Sequence, residues 1–136
     1  MGASITFLKN GKVLTSNNSR FANAGSNVSV GGNSDAVADA TWTYNYHPIW
    51  NEIDFRPWDY LYTGALARRD FYELMGRLYM AIQKVKELPN QNLDRDGGLQ
   101  HESSSYWAAT PANALKCLEW LLFWLSLGPD EVYAGY

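Results

Sequence analysis

A single cysteine, Cys117, among 136 residues rules out an internal disulfide and suits a reducing compartment. Long apolar runs are missing too. The longest, Leu118 to Leu125, is broken by Glu119 and falls far short of the roughly 20 residues needed to span a bilayer. No cationic stretch followed by an apolar one opens the chain, so neither a membrane anchor nor a secretory signal is expected. An excess of one charge is also absent. Eleven Lys and Arg against 14 Asp and Glu leave a net charge of −3, with the basic residues scattered, which is not the footprint of a nucleic-acid binder.

The motifs of common chemistries are equally scarce. There are two histidines, His47 and His101, and no HxxxH, HxH or CxxC spacing to hold a metal. Gly31-Gly32 is isolated, with no Walker A run or dinucleotide fingerprint around it. Ser103 to Ser105 is a polar run without a nucleophile elbow, and Cys117 lies in an apolar stretch where a thiol is inert. Asn92-Leu-Asp94-Arg-Asp96-Gly97-Gly-Leu99 begins like a calcium loop, but the twelfth position is Ser103 and Glu102 falls one place early. It reads as a solvated turn. If the chain were an enzyme after all, Asp94, Asp96, His101 and Glu102 around a metal would be the group to suspect, as a metal-dependent hydrolase.

What the chain does have is aromatic rings and amides. Six Trp, nine Tyr and five Phe accompany eleven Asn, most of them before residue 52. The length fits one domain, residues 1–136, with a single core. Thr41 to Trp50 is its most informative stretch. Trp42, Tyr44 and Tyr46 alternate with Thr41, Thr43 and Asn45, the period of a half-buried strand, and His47-Pro48 ends it. The aromatic face is expected to be the core face. Before it, Asn10-Gly11 between two strand-like runs predicts a hairpin, residues 17–33 read as loop with one weak strand at Val28 and Val30, and Asp35 to Tyr46 as a further strand.

Beyond Pro48 the pattern turns helical. Ile49, Trp50, Ile53 and Phe55 suit one amphipathic turn. Phe71, Leu74, Met75, Leu78, Ile82 and Val85 recur at helical spacing, with Thr63 as a plausible N-cap and Pro89 as the stop. Gly76 in that helix suggests that another backbone or a ligand approaches closely beside Tyr72 and Tyr79. A long loop, 89–109, leads to a second helix opened by Thr110-Pro111 and stopped by Gly128-Pro129. Its surface is apolar on most sides from Cys117 onward, which predicts a central helix also covered by a partner chain. The tail from Asp130 is expected to be a short edge strand or disordered. The chain therefore reads as α+β: a small N-terminal antiparallel sheet (residues 1–47, mainly β and loops) packed against two long C-terminal helices (residues 48–136, mainly α).

Thr43-Tyr44-Asn45-Tyr-His-Pro48-Ile49-Trp50 resembles the Thr-x-Asn-x-x-Pro-Met-aromatic segment of a group of small, largely uncharacterised phage proteins. In that group a helix, an Asn- and Gly-containing loop with a tryptophan, a second helix and a closing Asn-Pro-Asp follow. Here Phe71 to Leu88, the loop through Trp107, the helix from Pro111 and Gly128-Pro129-Asp130 keep that order, so the likeness covers about Thr41 to Asp130. The loop lacks the group's Asn-Pro-Glu-Asn-Gly-Trp-Gly run, and residues 10–40 have no counterpart. The resemblance implies a phage or prophage origin more than any activity; small phage proteins without catalytic motifs often act by binding, in the cytoplasm of a bacterial host, where they sequester an immune signal or block an enzyme, or they serve in the particle.

Together these readings predict a non-enzymatic binder of a small polar, nucleotide-like ligand that sequesters a host immune signal, without a cofactor. The expected ligand-binding residues are Tyr44, Asn45, His47, Trp50, Asn51, Arg56 and Tyr72, with rings for stacking, amides for polar edges and an arginine for phosphate. Arg20, Arg68 and Arg69 are further basic candidates. A homo-oligomer is expected, with neither nucleic acid nor membrane as partner. The alternative is a protein-interaction or structural subunit that docks through the aromatic C-terminal helix, by way of Trp120 and Trp124.

Overall fold

Strand β1 (Gly2–Lys9) alternates Ala3, Ile5 and Phe7 with Ser4 and Thr6, and the first set is fully buried. The computed structural model describes residues 2–16, 36–43, 46–66, 68–89, 92–93, 99–100 and 110–135. The expected loop with a weak strand at Val28 and Val30, and the calcium-like run at residues 94–98, lie outside them. The fold is α+β, with an antiparallel sheet mostly from the N-terminal part and the long helices in the C-terminal half.

Asn10 and Gly11 turn β1 into β2 (Lys12–Val13). Both have positive φ, 54° and 77°, as the mirror-image hairpin turn requires and as Asn-Gly supplies at least cost. β2 then pairs with β1 over only two residues, because the chain leaves β1 at Phe7. There the Phe7 N–H donates to the Ala38 carbonyl (2.8 Å), the Ala38 N–H to Leu14 (2.9 Å) and the Leu14 N–H back to Phe7 (3.1 Å). This ring of three bonds keeps the backbone satisfied at a point where three segments meet. Beyond it β3 (Thr15–Ser16) pairs with β4 (Ala36–Val37) as a separate ladder, and β5 (Asp39–Thr43) takes over the edge of β1. The single strand expected over 35–46 is thus divided at Ala38.

On its other edge β1 pairs with the C-terminal segment. β9 (Glu131–Gly135) runs antiparallel to it from Ser4↔Gly135 to Leu8↔Glu131, and also pairs with β6 (Gly64–Ala65). The tail is therefore an interior strand, neither an edge nor disordered. Asp130 anchors its start: its N–H donates to Leu8, its carbonyl accepts from Leu66, and its side chain accepts from the Asn10 N–H at 3.1 Å. Thr63 does not cap a helix as expected. Its hydroxyl donates to the Ala134 carbonyl and accepts from the Ala134 N–H, each at 3.0 Å, extending the β6–β9 ladder with a side chain.

His47 and Pro48 do not merely stop the strand, for they open the short helix α1 (His47–Glu52), where proline is tolerated in the first turn. A 3₁₀ turn (Pro57–Asp59) follows. Helix α2 (Arg68–Glu87) buries Leu74, Leu78, Ala81, Ile82 and Val85 and half-buries Phe71 and Met75, as the periodicity predicts. The described parts of the 89–109 segment include a minimal ladder, β7 (Asn92–Leu93) with β8 (Leu99–Gln100). Helix α3 (Pro111–Ser126) starts at Thr110, whose hydroxyl accepts the Asn113 N–H at 3.1 Å. It ends at Gly128, with φ 72° and an N–H that donates to Leu125, a left-handed cap that glycine adopts without a Cβ penalty.

α3 is the centre of the core. Cys117, Leu118, Trp120, Leu121, Trp124 and Leu125 are fully buried, with α2 packed along the helix and Phe7 and Trp42 of the sheet against Trp120. Tryptophans fill the space between it and the sheet. The Trp42 ring lies 6.0 Å from Trp120, 6.1 Å from Trp50 and 6.0 Å from Trp58, and Trp120 lies 5.9 Å from Phe7 and 6.3 Å from Trp124. The buried indole nitrogens of Trp42, Trp120 and Trp124 have no hydrogen-bond acceptor among the described residues. The Trp42–Trp120 and Phe123–Trp124 planes meet at 76° and 81°, the edge-to-face arrangement that aromatic pairs prefer.

Truncating the ring at the centre of this cluster should be severe. Trp120→Ala is expected to lose about 3–5 kcal/mol of stability in urea denaturation. Trp120→Phe should lose less than about half of that, because the phenyl ring keeps most of the packing and forfeits no hydrogen bond.

Candidate functional site

The expected ligand-binding residues divide three ways. Tyr44 and Asn45 lie outside the described residues. Trp50 belongs to the core: it is 2% exposed, packed against Trp42 and edge-on to Tyr46 at 6.0 Å, so its ring is occupied by the protein itself. His47, Asn51 and Arg56 are on the surface, and α1 gathers them.

α1 is amphipathic over a turn and a half. Ile49 and Trp50 face inward with Tyr46 and Ile53, which leaves His47 and Asn51, four residues apart, on one outward stripe. The helix closes when the Ile53 N–H donates to Ile49 (3.0 Å) and the Asp54 N–H to Asn51 (3.3 Å). Asp54 then takes a left-handed conformation, φ 52°, which aspartate tolerates better than most residues, and the Phe55 N–H returns to Trp50 at 3.0 Å. This tight reversal carries Arg56 back beside Asp54, with 3.6 Å between guanidinium and carboxylate. The pair is open to water, so its value is orientation more than stability.

A residue that sequence reasoning did not single out completes the site. The Lys84 ammonium, from α2, donates to the Ile53 carbonyl at 3.3 Å. A lysine there satisfies an orphan carbonyl at a helix C-terminus and complements its dipole. The end of α1 is thus polar: Asn51 and Glu52 lie in its last turn, Asp54 and Arg56 pair just past it, and Lys84 reaches its Ile53 carbonyl, which makes two cations and two carboxylates beside a buried aromatic face. Lys84 gives no local signal of this role, since 31 residues separate it from Ile53.

Tyr72 is not part of that rim. It stands on the outer face of α2, 59% exposed, twelve residues and so roughly 18 Å of helix from Lys84. Arg68 and Arg69 fall in the first turn of α2, while Arg20 lies outside the described residues. The polar face of the sheet is laid out as the alternation predicts: Ser4 and Thr41 hydroxyls lie 3.4 Å apart, and Thr6 donates to Asp39 at 3.0 Å.

The aromatic docking helix requires correction. Trp120 and Trp124 are fully buried, because α3 is wrapped by its own chain and cannot present them to a partner. The residues suspected for a metal-dependent hydrolase, Asp94, Asp96, His101 and Glu102, lie outside the described residues, and among the described residues no three His, Cys, Asp or Glu side chains are grouped to hold a metal. Among them, too, no helix is long and apolar enough to cross a membrane. Comparison with protein-family models, with curated proteins and with solved structures returns no match. The class that fold and surface define is thus an α+β domain with a closed aromatic core and a polar rim at the end of α1.

Cys117 is buried in α3, and that burial raises its thiol well above the ordinary range, which makes it a poor nucleophile. The consequence for stability has a definite sign. From about pH 8.5, the free thiol value, the unfolded chain loses a proton that the native state keeps, so stability falls with rising pH by up to about 1.4 kcal/mol per unit. The stability of Cys117→Ala should lack this alkaline fall, so that its difference from wild type, set by lost packing and constant below about pH 8, shrinks as pH rises further in denaturation measurements.

Proposed function

We propose that the chain is a non-enzymatic binding protein, of the phage type that its Thr43 to Trp50 segment resembles, and that the rim at the end of α1 takes a small polar, nucleotide-derived ligand. The observation that carries this reading is the placing of two cations, Lys84 on the Ile53 carbonyl and Arg56 beside Asp54, at the end of a helix whose other face is locked into the tryptophan core. A phosphate would be held there by the two cations, against the carbonyl end of α1 and the Glu52 and Asp54 carboxylates. Arg56 offers bidentate donors, Lys84 a compact charge and Asn51 a donor and acceptor for a polar edge. A ligand anion would displace Asp54 from Arg56, an exchange of one exposed carboxylate for a more highly charged group. His47, one turn away on the same stripe, extends the rim. Holding such a ligand without converting it would sequester a host immune signal in the bacterial cytoplasm.

A second reading is favoured by a different observation. Tyr72, Tyr79 and Met80 on α2 are 59%, 56% and 55% exposed, a concentration of large apolar groups on one helix of the kind that marks protein-recognition surfaces. A protein-interaction subunit would dock through α2, not α3.

The ligand reading is tested with thermal-shift assays against nucleotides and cyclic nucleotides, and with native mass spectrometry of protein from phage-exposed cells. A bound small molecule and a stabilising shift are expected, and Arg56→Ala and Lys84→Ala should each weaken binding about tenfold or more. Neither a bound molecule nor a shift with any nucleotide would overturn it.

A further inference from the structure

We infer that α2 pairs with α2 of a second copy of this chain, antiparallel and centred on Gly76; this rests on the reading of α2 as a protein-recognition face. Gly76 is the starting point. It sits in the middle of a twenty-residue helix, where glycine is a poor choice. Nothing among the described residues explains it, because a Cβ built there meets none of their atoms within 4 Å. The helix gives up stability to keep a notch that faces outward.

What flanks the notch is self-complementary. At 3.6 residues per turn, Tyr72 and Tyr79 lie about 40° and 60° to one side of Gly76, and Met80 and Glu73 lie about 40° and 60° to the other, with Arg77 just beyond. A two-fold axis that reverses the helix direction keeps each residue on its own side and inverts its height. Tyr72, about 6 Å below Gly76, then meets the second copy's residue 79, about 4.5 Å below, and the contact recurs at the other end. On the opposite side Glu73 comes within two residue rises, about 3 Å in height, of the second copy's residue 77, so carboxylate and guanidinium share that flank twice. Glycine faces glycine at the centre and lets the two backbones approach closely.

A parallel pair lacks this match. It would set the tyrosine side of one helix against the carboxylate side of the other along its whole length. The charges thus select the antiparallel second copy as occupant, and an isologous patch of this kind closes after two subunits. One helix pair is a small interface, so the dimer should dissociate in the micromolar range, on the order of −8 kcal/mol.

Sedimentation equilibrium on the full chain across the micromolar range tests the inference. Wild type should be a reversible dimer. Gly76→Leu places a better helix former in open space, so its melting temperature should hold or rise while its dimer dissociation constant increases at least about tenfold. Glu73→Arg should weaken the dimer about fivefold or more, and adding Arg77→Glu should restore it. A wild type that stays monomeric would overturn the second-copy assignment alone. A dimer indifferent to Gly76→Leu would overturn that assignment and the reading of α2 with it.

Discussion

The contact between Trp42 and Trp120 is the one on which the rest of the structure depends. Trp42 projects from β5 and Trp120 from α3, and their rings meet nearly at right angles, 6.0 Å apart. Around that contact gather Trp50 from α1, Trp58 from the 3₁₀ turn and Phe7 from β1, so one indole pair joins the sheet to every element at that end of the helices. Rings of this size bury on the order of 200 Å² each, which lets a short sheet and two helices make one core. Three of the indole N–H groups contribute no described hydrogen bond. The core is held by shape and apolar area, with little polar specificity inside it.

A second constraint sits in the sheet. β1 is paired along one edge by β2 and β5 in turn and along the other by β9, so the N-terminal and C-terminal segments close the fold on each other. The closure is reinforced at Asp130, which donates to Leu8 and accepts from Asn10 and Leu66. Pairings that far apart in sequence carry a large loop-closure entropy. They form only when the tryptophan core is there to reward them.

These constraints separate the surface into two regions of different chemistry. The end of α1 is polar, built by a tight reversal at Asp54 and by Lys84 arriving from α2. The outer face of α2 is aromatic, with a glycine notch between rings. The same helix therefore serves both, with Lys84 near its C-terminal end at the polar rim and Tyr72 near its N-terminal end on the aromatic face. A small-molecule reading and a protein-pairing reading are compatible because they use different stretches of α2.

Much of this was legible from residue order. The Asn10-Gly11 turn, the Thr110 cap with Pro111 behind it, the Gly128 stop, the inward stripe of α2 and the core face of Trp42 all follow from local rules, since each depends on neighbours within a turn or two. His47 and Asn51 are likewise a helical repeat apart. What residue order left open was settled by contacts between distant segments. Trp50 and α3 look like binding surfaces until the sheet and α2 cover them, and the tail looks like an edge until β6 takes its far side. Lys84 acquires its role only because packing brings it to Ile53. By itself the sequence determined which stretches bend, which wind and which face of each is apolar, because those are short-range properties of the backbone and its side-chain period. The tertiary structure determined which apolar faces go into the core and which remain exposed, because burial depends on segments that meet only after the chain has folded.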